Sequence, residues 1–241
     1  MFESRYITKD DYSFDGIPLR PGVYWVFSEL QKEKGRSWHS RPYEYAFVVR
    51  DMLRAHWLDM IKLEMVLDMA CGANHPGYMA IANITEVKTV IALDINGGLF
   101  RNGMDHPKVT KFIRDATNTG FTSERFDAIS CVSALEHMPN WKDCIKEMYR
   151  LLKPGGMAFV TIDISTDPIK TAKHNIDGKT PNDYKMAFEK VGLDIVGSYD
   201  NDLQKDAVDA ICSNYPLADS ESELLEGQHN AHKTFKMVLK K

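Results

Sequence analysis

VLDMACGAN, residues 66–74, is the stretch on which the reading of this chain turns. A short apolar run carries one acid, Asp68, and then breaks into the small residues Ala70, Cys71, Gly72 and Ala73, with Asn74 closing the stretch. Small residues at a strand end let the backbone approach a ligand closely, and Gly72 can take a conformation barred to other residues. Two later stretches repeat the form: VIALDIN (90–96) is an apolar run ending in Asp94 and Ile95, and FIRDAT (112–117) alternates into Asp115 and Ala116. Asp94 stands 22 residues after Gly72, a spacing that suits a carboxylate receiving both hydroxyls of a ribose. Taken singly, such a turn is a strand-to-helix connection and such an acid is a helix cap. Their order along the chain carries the information.

Working outward, RFDAISCVS (125–133) and GMAFVTID (156–163) add two strands, apolar enough to be buried on both faces as in a parallel sheet. The segments between strands have helical spacing, loosely over Pro76–Asn83 and strongly over Asn140–Leu152, where Trp141, Ile145, Met148 and Leu152 share a face. Lys153-Pro154-Gly155-Gly156 is a stop signal for that helix. Upstream, Tyr45, Val48, Val49, Met52, Leu53 and Leu58 recur at three- and four-residue intervals and predict an amphipathic helix from Pro42 to about Ile61. Downstream, the pattern predicts a helix over Pro181–Val191, a strand over Leu193–Tyr199 and a final strand over Phe235–Lys240. No crossover helix is evident before that last strand, so it can return antiparallel. The expected fold is α/β, a doubly wound, mostly parallel seven-stranded sheet with helices on both faces and an antiparallel last strand. Residues 1–60 are expected to form an N-terminal extension, irregular or partly helical over its first forty residues and ending in a cap helix, and 61–241 the α/β domain.

The 241 residues are 44% hydrophobic and 27% charged, the balance of an ordinary globular protein, which excludes disordered and collagen-like classes. Lys plus Arg number 30 against 34 Asp plus Glu, so there is no general electrostatic footprint for nucleic acid or anionic lipid. Cys71, Cys131, Cys144 and Cys212 lack C-x-x-C spacing, which leaves no support for a zinc ribbon or disulfide framework and makes a reduced, cytoplasmic setting the expectation. The first residues, MFESRYITKDDYSFDG, have no apolar core, and no apolar stretch of about 18 residues occurs, so neither a signal peptide nor a membrane span is expected.

The ordered motifs resemble those of the class I S-adenosylmethionine-dependent methyltransferases. VLDMACGAN is similar to the family's first motif, VIALDIN to the second with its ribose acid, and FIRDAT to the third, whose Asp reads the adenine amino group. FDAISCVSALEHM (126–138) and EMYRLLKPGGMAFVTID (147–163) resemble the fourth-strand motif and the helix, turn and fifth strand after it. The first and third glycines of the family loop stand here as Ala70 and Asn74. A nicotinamide-binding turn fits less well, since Ala70, Gly72 and His75 occupy its three glycine positions.

The resemblance implies S-adenosylmethionine as cofactor, with S-adenosylhomocysteine as product, held by Asp68, Ala70, Cys71, Gly72, Asn74, Asp94, Ile95, Asp115 and Ala116. Ser133 is expected on the methionine side, and Tyr45 in a cap over the cleft. Methyl transfer from a sulfonium needs mainly alignment, with a base only where the acceptor must lose a proton. His137 is the candidate base, weighed against a histidine that only packs the following helix. His174 is a second, weaker candidate. Some relatives bind a divalent metal with E-x-x-E-H here; this chain reads Ser133-Ala134-Leu135-Glu136-His137, so no metal is expected. The implied activity is methyl transfer to a small-molecule or glycan-type acceptor, on oxygen. The alternatives are a cofactor-binding scaffold without catalysis, and an RNA or protein methyltransferase using the basic stretch 32–41. The expected partner is a small-molecule acceptor, with neither nucleic acid nor membrane, and the oligomeric state stays open.

Overall fold

The structure, a computed structural model, describes residues 1–8, 41–72, 77–99, 105–165, 179–203, 207 and 232–241. In chain order these form β1 (Glu3–Tyr6), α1 (Arg41–Trp57), β2 (Met65–Met69), α2 (Gly77–Ala82), β3 (Thr89–Asp94), β4 (Val109–Ile113) and β5 (Phe126–Val132). A 3-10 turn (Leu135–His137), α3 (Trp141–Leu151), β6 (Leu152–Ser165), α4 (Pro181–Val191), β7 (Asp194–Ile195), β8 (Ser198–Tyr199) and β9 (His232–Lys240) follow. His174, Cys212, Ala73, Asn74 and the basic residues 32–40 lie outside the described residues.

All nine strands join one sheet in the order β4-β3-β2-β5-β6-β9-β1-β8, with β7 on β9. β2 pairs in parallel with β3 and β5, β3 with β4, and β5 with β6. β9 returns antiparallel to β6. The order in which strands are added therefore reverses at β2, and the carboxyl ends of β2, β3, β4 and β5 open onto one edge, the place where doubly wound sheets hold ligands.

The two-residue period of the strands divides the core between the sheet's faces. Val66, Val90, Ala128, Phe159 and Val238 pack with α1 and α2 on one side. Leu67, Ile91, Ile129, Val160 and Leu239 pack on the other, against Ile145, Met148 and Leu151 of α3 and Tyr184 and Phe188 of α4. Every residue of β5 is buried, as a central strand covered on both faces requires. α4 begins in a capping box, with Thr180 and Asp183 exchanging hydrogen bonds and Pro181 in the first turn, and ends on Gly192 at φ 94°.

The sheet has two more strands than expected, for two physical reasons. Glu3–Tyr6, placed by sequence within an irregular extension, pairs with β9 and β8. The strand expected over Leu193–Tyr199 is broken into β7 and β8 by Gly197, whose φ is 85° and where a Cβ would lie 2.2 Å from the Phe2 carbonyl oxygen. At the end of α3 the glycine pair does not stop the chain in a loop. Leu152 leaves the helix in extended conformation and β6 begins there, with Gly155 at φ 77° inside it.

Candidate cofactor site at the strand ends

The turn after β2 rests on β3. Cys71 N–H donates to the Leu93 carbonyl at 3.0 Å, and Gly72 N–H donates to Asp94 Oδ2 at 2.8 Å. Ala70 and Gly72 have φ of 54° and 75°, so the positive-φ turn is present at 70 although an alanine occupies it. Asp94 Oδ1 accepts from Asn96 N–H at 2.8 Å, which fixes the carboxylate plane while each oxygen keeps a second acceptor site.

Six of the residues singled out by sequence come together here. Ala70, Asp94, Ile95, Asp115, Ala116 and His137 line one cavity of about 270 Å³, completed by Leu93, Thr117, Met138, Pro139 and Asn140. Ile95 is 71% exposed at its edge, an apolar surface for a flat base. Asp115 Oδ1 accepts from the backbone N–H and hydroxyl of Thr117, both at 2.8 Å, which orients that carboxylate. A second cavity, about 620 Å³, is lined by Trp141, Lys142, Lys146, Lys179 and neighbours on α3 and α4 and contains no strand-end acid. The smaller cavity is the one that meets the chemistry of a nucleotide, with two oriented acids and an apolar lip.

Asp68, Cys71, Gly72, Tyr45 and Ser133 lie outside the lining of this cavity. Asp68 is fully buried beneath the turn, with Oδ1 accepting from Ser130 Oγ at 2.6 Å and Oδ2 left without a hydrogen-bond partner. Burial pushes its carboxyl up to about 7, against the Ser130 hydrogen bond and with some help from the Asp94 charge.

Tyr45 is buried on α1, where its ring occupies the space a Cβ on Gly77 would need. Burial pushes its phenol well up, and the Asp68 carboxylate adds to the effect. One residue earlier, Glu44 reaches over to β5 and β6. It accepts from Arg41 Nη1 at 3.0 Å, from Ser133 Oγ at 2.6 Å and from Thr161 Oγ1. Ser133 has φ 40°, an uncommon conformation for serine, and its hydroxyl also lies 3.1 Å from Asp163 Oδ1. Asp163 Oδ1 accepts from Thr234 Oγ1 as well, at 2.8 Å, and Asp163 N–H donates to Glu136 Oε1 at 2.9 Å. Burial, then the Glu44 charge, pushes the Asp163 carboxyl up to about 7. Burial and the Asp163 charge push Glu136 well up.

Sequence reasoning missed this buried network of Arg41, Glu44, Glu136, Thr161 and Asp163. Glu136 and Asp163 stand in stretches the sequence singled out, but nothing there joins them to Glu44. The serine at 133 argued against a metal ligand set. In three dimensions β6 delivers Asp163 to Glu136 and His137, and one donor atom from each of the three lies within 4.8 Å of the others.

Residues 67–160 match the methyltransferase domain family Methyltransf_11. Among curated proteins, the chain is 29% identical over 185 residues to a sterol 24-C-methyltransferase of Clavispora lusitaniae, covering 68% of this chain and 48% of that protein. It is 30% identical over 116 residues to a ubiquinone biosynthesis O-methyltransferase of Pseudomonas putida, covering 44% and 49%. The chain thus spans about half the length of these curated relatives. In fold it resembles phosphoethanolamine N-methyltransferase 2 of Haemonchus contortus, solved with S-adenosyl-L-methionine, at a TM-score of 0.62 and 13% identity over 91% of this chain and 56% of that one. The cyclase SpnF shares the fold at a TM-score of 0.60 and 14% identity, over 94% and 98%. With its strand order reversing at β2, Asp94 tied to the turn after β2, and a methyltransferase-domain match over residues 67–160, the chain resembles the class I S-adenosylmethionine-dependent methyltransferases in fold and across that segment.

Proposed function

We propose that this protein transfers a methyl group from S-adenosylmethionine to a small-molecule or glycan-type acceptor, on oxygen. The observation that carries the reading is the Gly72–Asp94 hydrogen bond at the mouth of a cavity that also holds Asp115 and Ala116. Bound there, the cofactor supplies a methyl already activated by its sulfonium.

The chain's residues do the rest. The second acceptor sites of Asp94 receive the two ribose hydroxyls, and Asp115 with the Ala116 backbone N–H reads the adenine edge. Ile95 covers one face of the base. The buried Asp68 oxygen supports the methionine end from below the Ala70–Gly72 turn, and Cys71 anchors that turn on Leu93. Asn74, a residue outside the described ones, belongs to the same loop in this proposal. α1 serves as the base of a cap within residues 1–60. Its Tyr45 packs beneath the turn, and its Glu44 holds Ser133 on the side expected to face the methionine.

The acceptor enters on the side of His137, which is half-exposed on the 3-10 turn and lines the same cavity. A proton lost by an acceptor hydroxyl is handled there, His137 being the catalytic residue of this reading. No helix of the described residues is long and apolar enough to cross a membrane. A cytoplasmic site of action remains part of the proposal.

The test is calorimetric titration with S-adenosylhomocysteine, then a screen with methyl-labelled S-adenosylmethionine over pools of small hydroxylated acceptors and glycans. Binding with label transfer to a small acceptor is the expected result. Absence of binding overturns the reading, and transfer only to RNA or protein replaces its acceptor class.

A further inference from the structure

We propose that the groove between α3 and α4 docks an acidic, amphipathic segment of a partner protein. Each helix turns an apolar stripe into the core, Ile145 and Met148 from α3 and Tyr184 and Phe188 from α4. Beyond that seam lies the larger cavity, about 620 Å³. Met186, Ala187 and Val191 give it an apolar strip, and Met186 is 59% exposed there. Lys142 and Lys146, one turn apart on α3, line it together with Lys179 and Lys190.

Charge selects the occupant. Four lysines and one acid, Asp183, line the groove of a chain whose net charge is -4. A solvated helix face usually interleaves both signs, but the acids of these helices are engaged elsewhere. Asp183 is held in its capping box by Thr180, Glu189 pairs with Lys185, and Glu147 is hydrogen-bonded to Thr119 and Arg150. Asp143 pairs with Lys146, yet both side chains are more than half exposed, and such a pair contributes little against a better partner. Neither Lys142 nor Lys190 has a carboxylate within ion-pair distance among the described residues.

The apolar strip narrows the choice further. A simple anion would use the lysines alone, whereas an amphipathic helix brings apolar side chains at i, i+3 and i+4 to Met186 and its neighbours and carboxylates to the lysines. Nucleic acid fits less well, because stacking needs an open aromatic face. Trp141 is 6% exposed, packs 4.8 Å from the Tyr184 ring, and has the Lys142 and Lys179 ammonium groups each 5.3 Å from its ring centre. Both helices have 11 residues, about 16 Å at 1.5 Å per residue, which matches roughly three turns of a docked helix. The groove holds no strand-end acid, so the proposal does not depend on the methyl-transfer reading.

The test is fluorescence anisotropy with the full chain and a labelled peptide of about three helical turns, glutamates on one face and leucines on the other. The expected result is binding in the micromolar range that weakens as salt is raised. The double variant Lys142→Glu, Lys190→Glu should weaken it roughly tenfold or more, and Met186→Asp comparably. All three positions are exposed, and a thermal melt checks that the variants fold. No binding, equal binding of a glutamate peptide that lacks leucines, or binding unchanged in the variants overturns the proposal. Tighter binding of polyuridine RNA that the same variants abolish would assign the groove to nucleic acid, and a dimer of the chain that they dissolve would assign it to a second copy. Either result also overturns it.

Discussion

The Gly72 backbone N–H donates to Asp94 Oδ2 at 2.8 Å, so the acid closing β3 also holds the turn that follows β2. One carboxylate serves two strands. Asp94→Ala therefore removes both a ligand contact and a tie between the first two motifs. Hydrogen bonds to a charged group are worth about 1.5–3 kcal/mol each. Affinity for S-adenosylhomocysteine should fall between roughly tenfold and several hundredfold, and the melting temperature should fall with it. Asp94→Asn keeps one acceptor for Gly72, so its melting temperature should stay close to that of the parent while affinity still drops. Unchanged affinity in both variants would remove Asp94 from the cofactor site.

Ala70 keeps a φ of 54° without being glycine. A left-handed conformation costs an L-residue about 1–2 kcal/mol, and glycine's extra freedom in the unfolded chain returns roughly half of that. Ala70→Gly should stabilise the protein by about 0.5–1 kcal/mol in urea unfolding. Gly72→Ala, at φ 75°, should cost a similar or larger amount. A destabilised Ala70→Gly variant would mean that the methyl group packs well enough to outweigh its strain.

These two turns show what the sequence made legible and what it hid. β3 and α4 have the bounds expected of them. Thr89–Asp94 is an unbroken apolar run closed by an acid, and Pro181–Val191 is bracketed by Thr180 and Gly192. Such signals are local. β1 carries no local signal, because its four residues gain their meaning from Phe235 and Lys236, which pair with Tyr6 and Arg5 from the far end of the chain. The same holds at the site. Asp94 can be read because it closes a strand, and Asp115 and Ala116 because they follow one closely, and the three meet at the cavity with Ala70, Ile95 and His137. The contact between Glu44 and Ser133 joins residues 89 apart in the sequence, and no periodicity announces it.

Asp68 ties stability to pH. Its carboxyl is raised by burial to about 7, so the folded state holds a proton that the unfolded chain, with a pKa near 3.8, has already released. Stability from this group is fully present below the unfolded value and is lost as pH rises through the folded one. Asp68→Asn removes the titration. The stability of the variant relative to the parent should therefore improve between pH 5 and pH 7.5, by roughly 2 kcal/mol. Urea midpoints at the two pH values measure it. A difference that does not change with pH would show that Asp68 titrates near its unfolded value.

Glu44 is the latch by which α1 holds the ends of β5 and β6. It is fully buried, and Arg41, Ser133 and Thr161 all donate to it. Removing one partner of a buried ion pair costs about 3–5 kcal/mol, and Arg41 retains the field of Asp163 and Glu136, which places the cost at the lower end. Glu44→Ala should destabilise the protein by that amount, and Glu44→Gln by less, since the amide oxygen still accepts from the two hydroxyls. The latch also bears on the cap. If the segment before residue 45 closes over bound cofactor, S-adenosylhomocysteine should slow proteolysis there, because closure excludes water and protease together. Glu44→Gln should weaken that protection while leaving the affinity contributed by Asp94 in place. Cleavage before residue 45 that ignores the ligand in the parent protein would reduce the extension to a cover for the sheet. Protection undiminished in Glu44→Gln would keep the cap but assign its anchor to another contact.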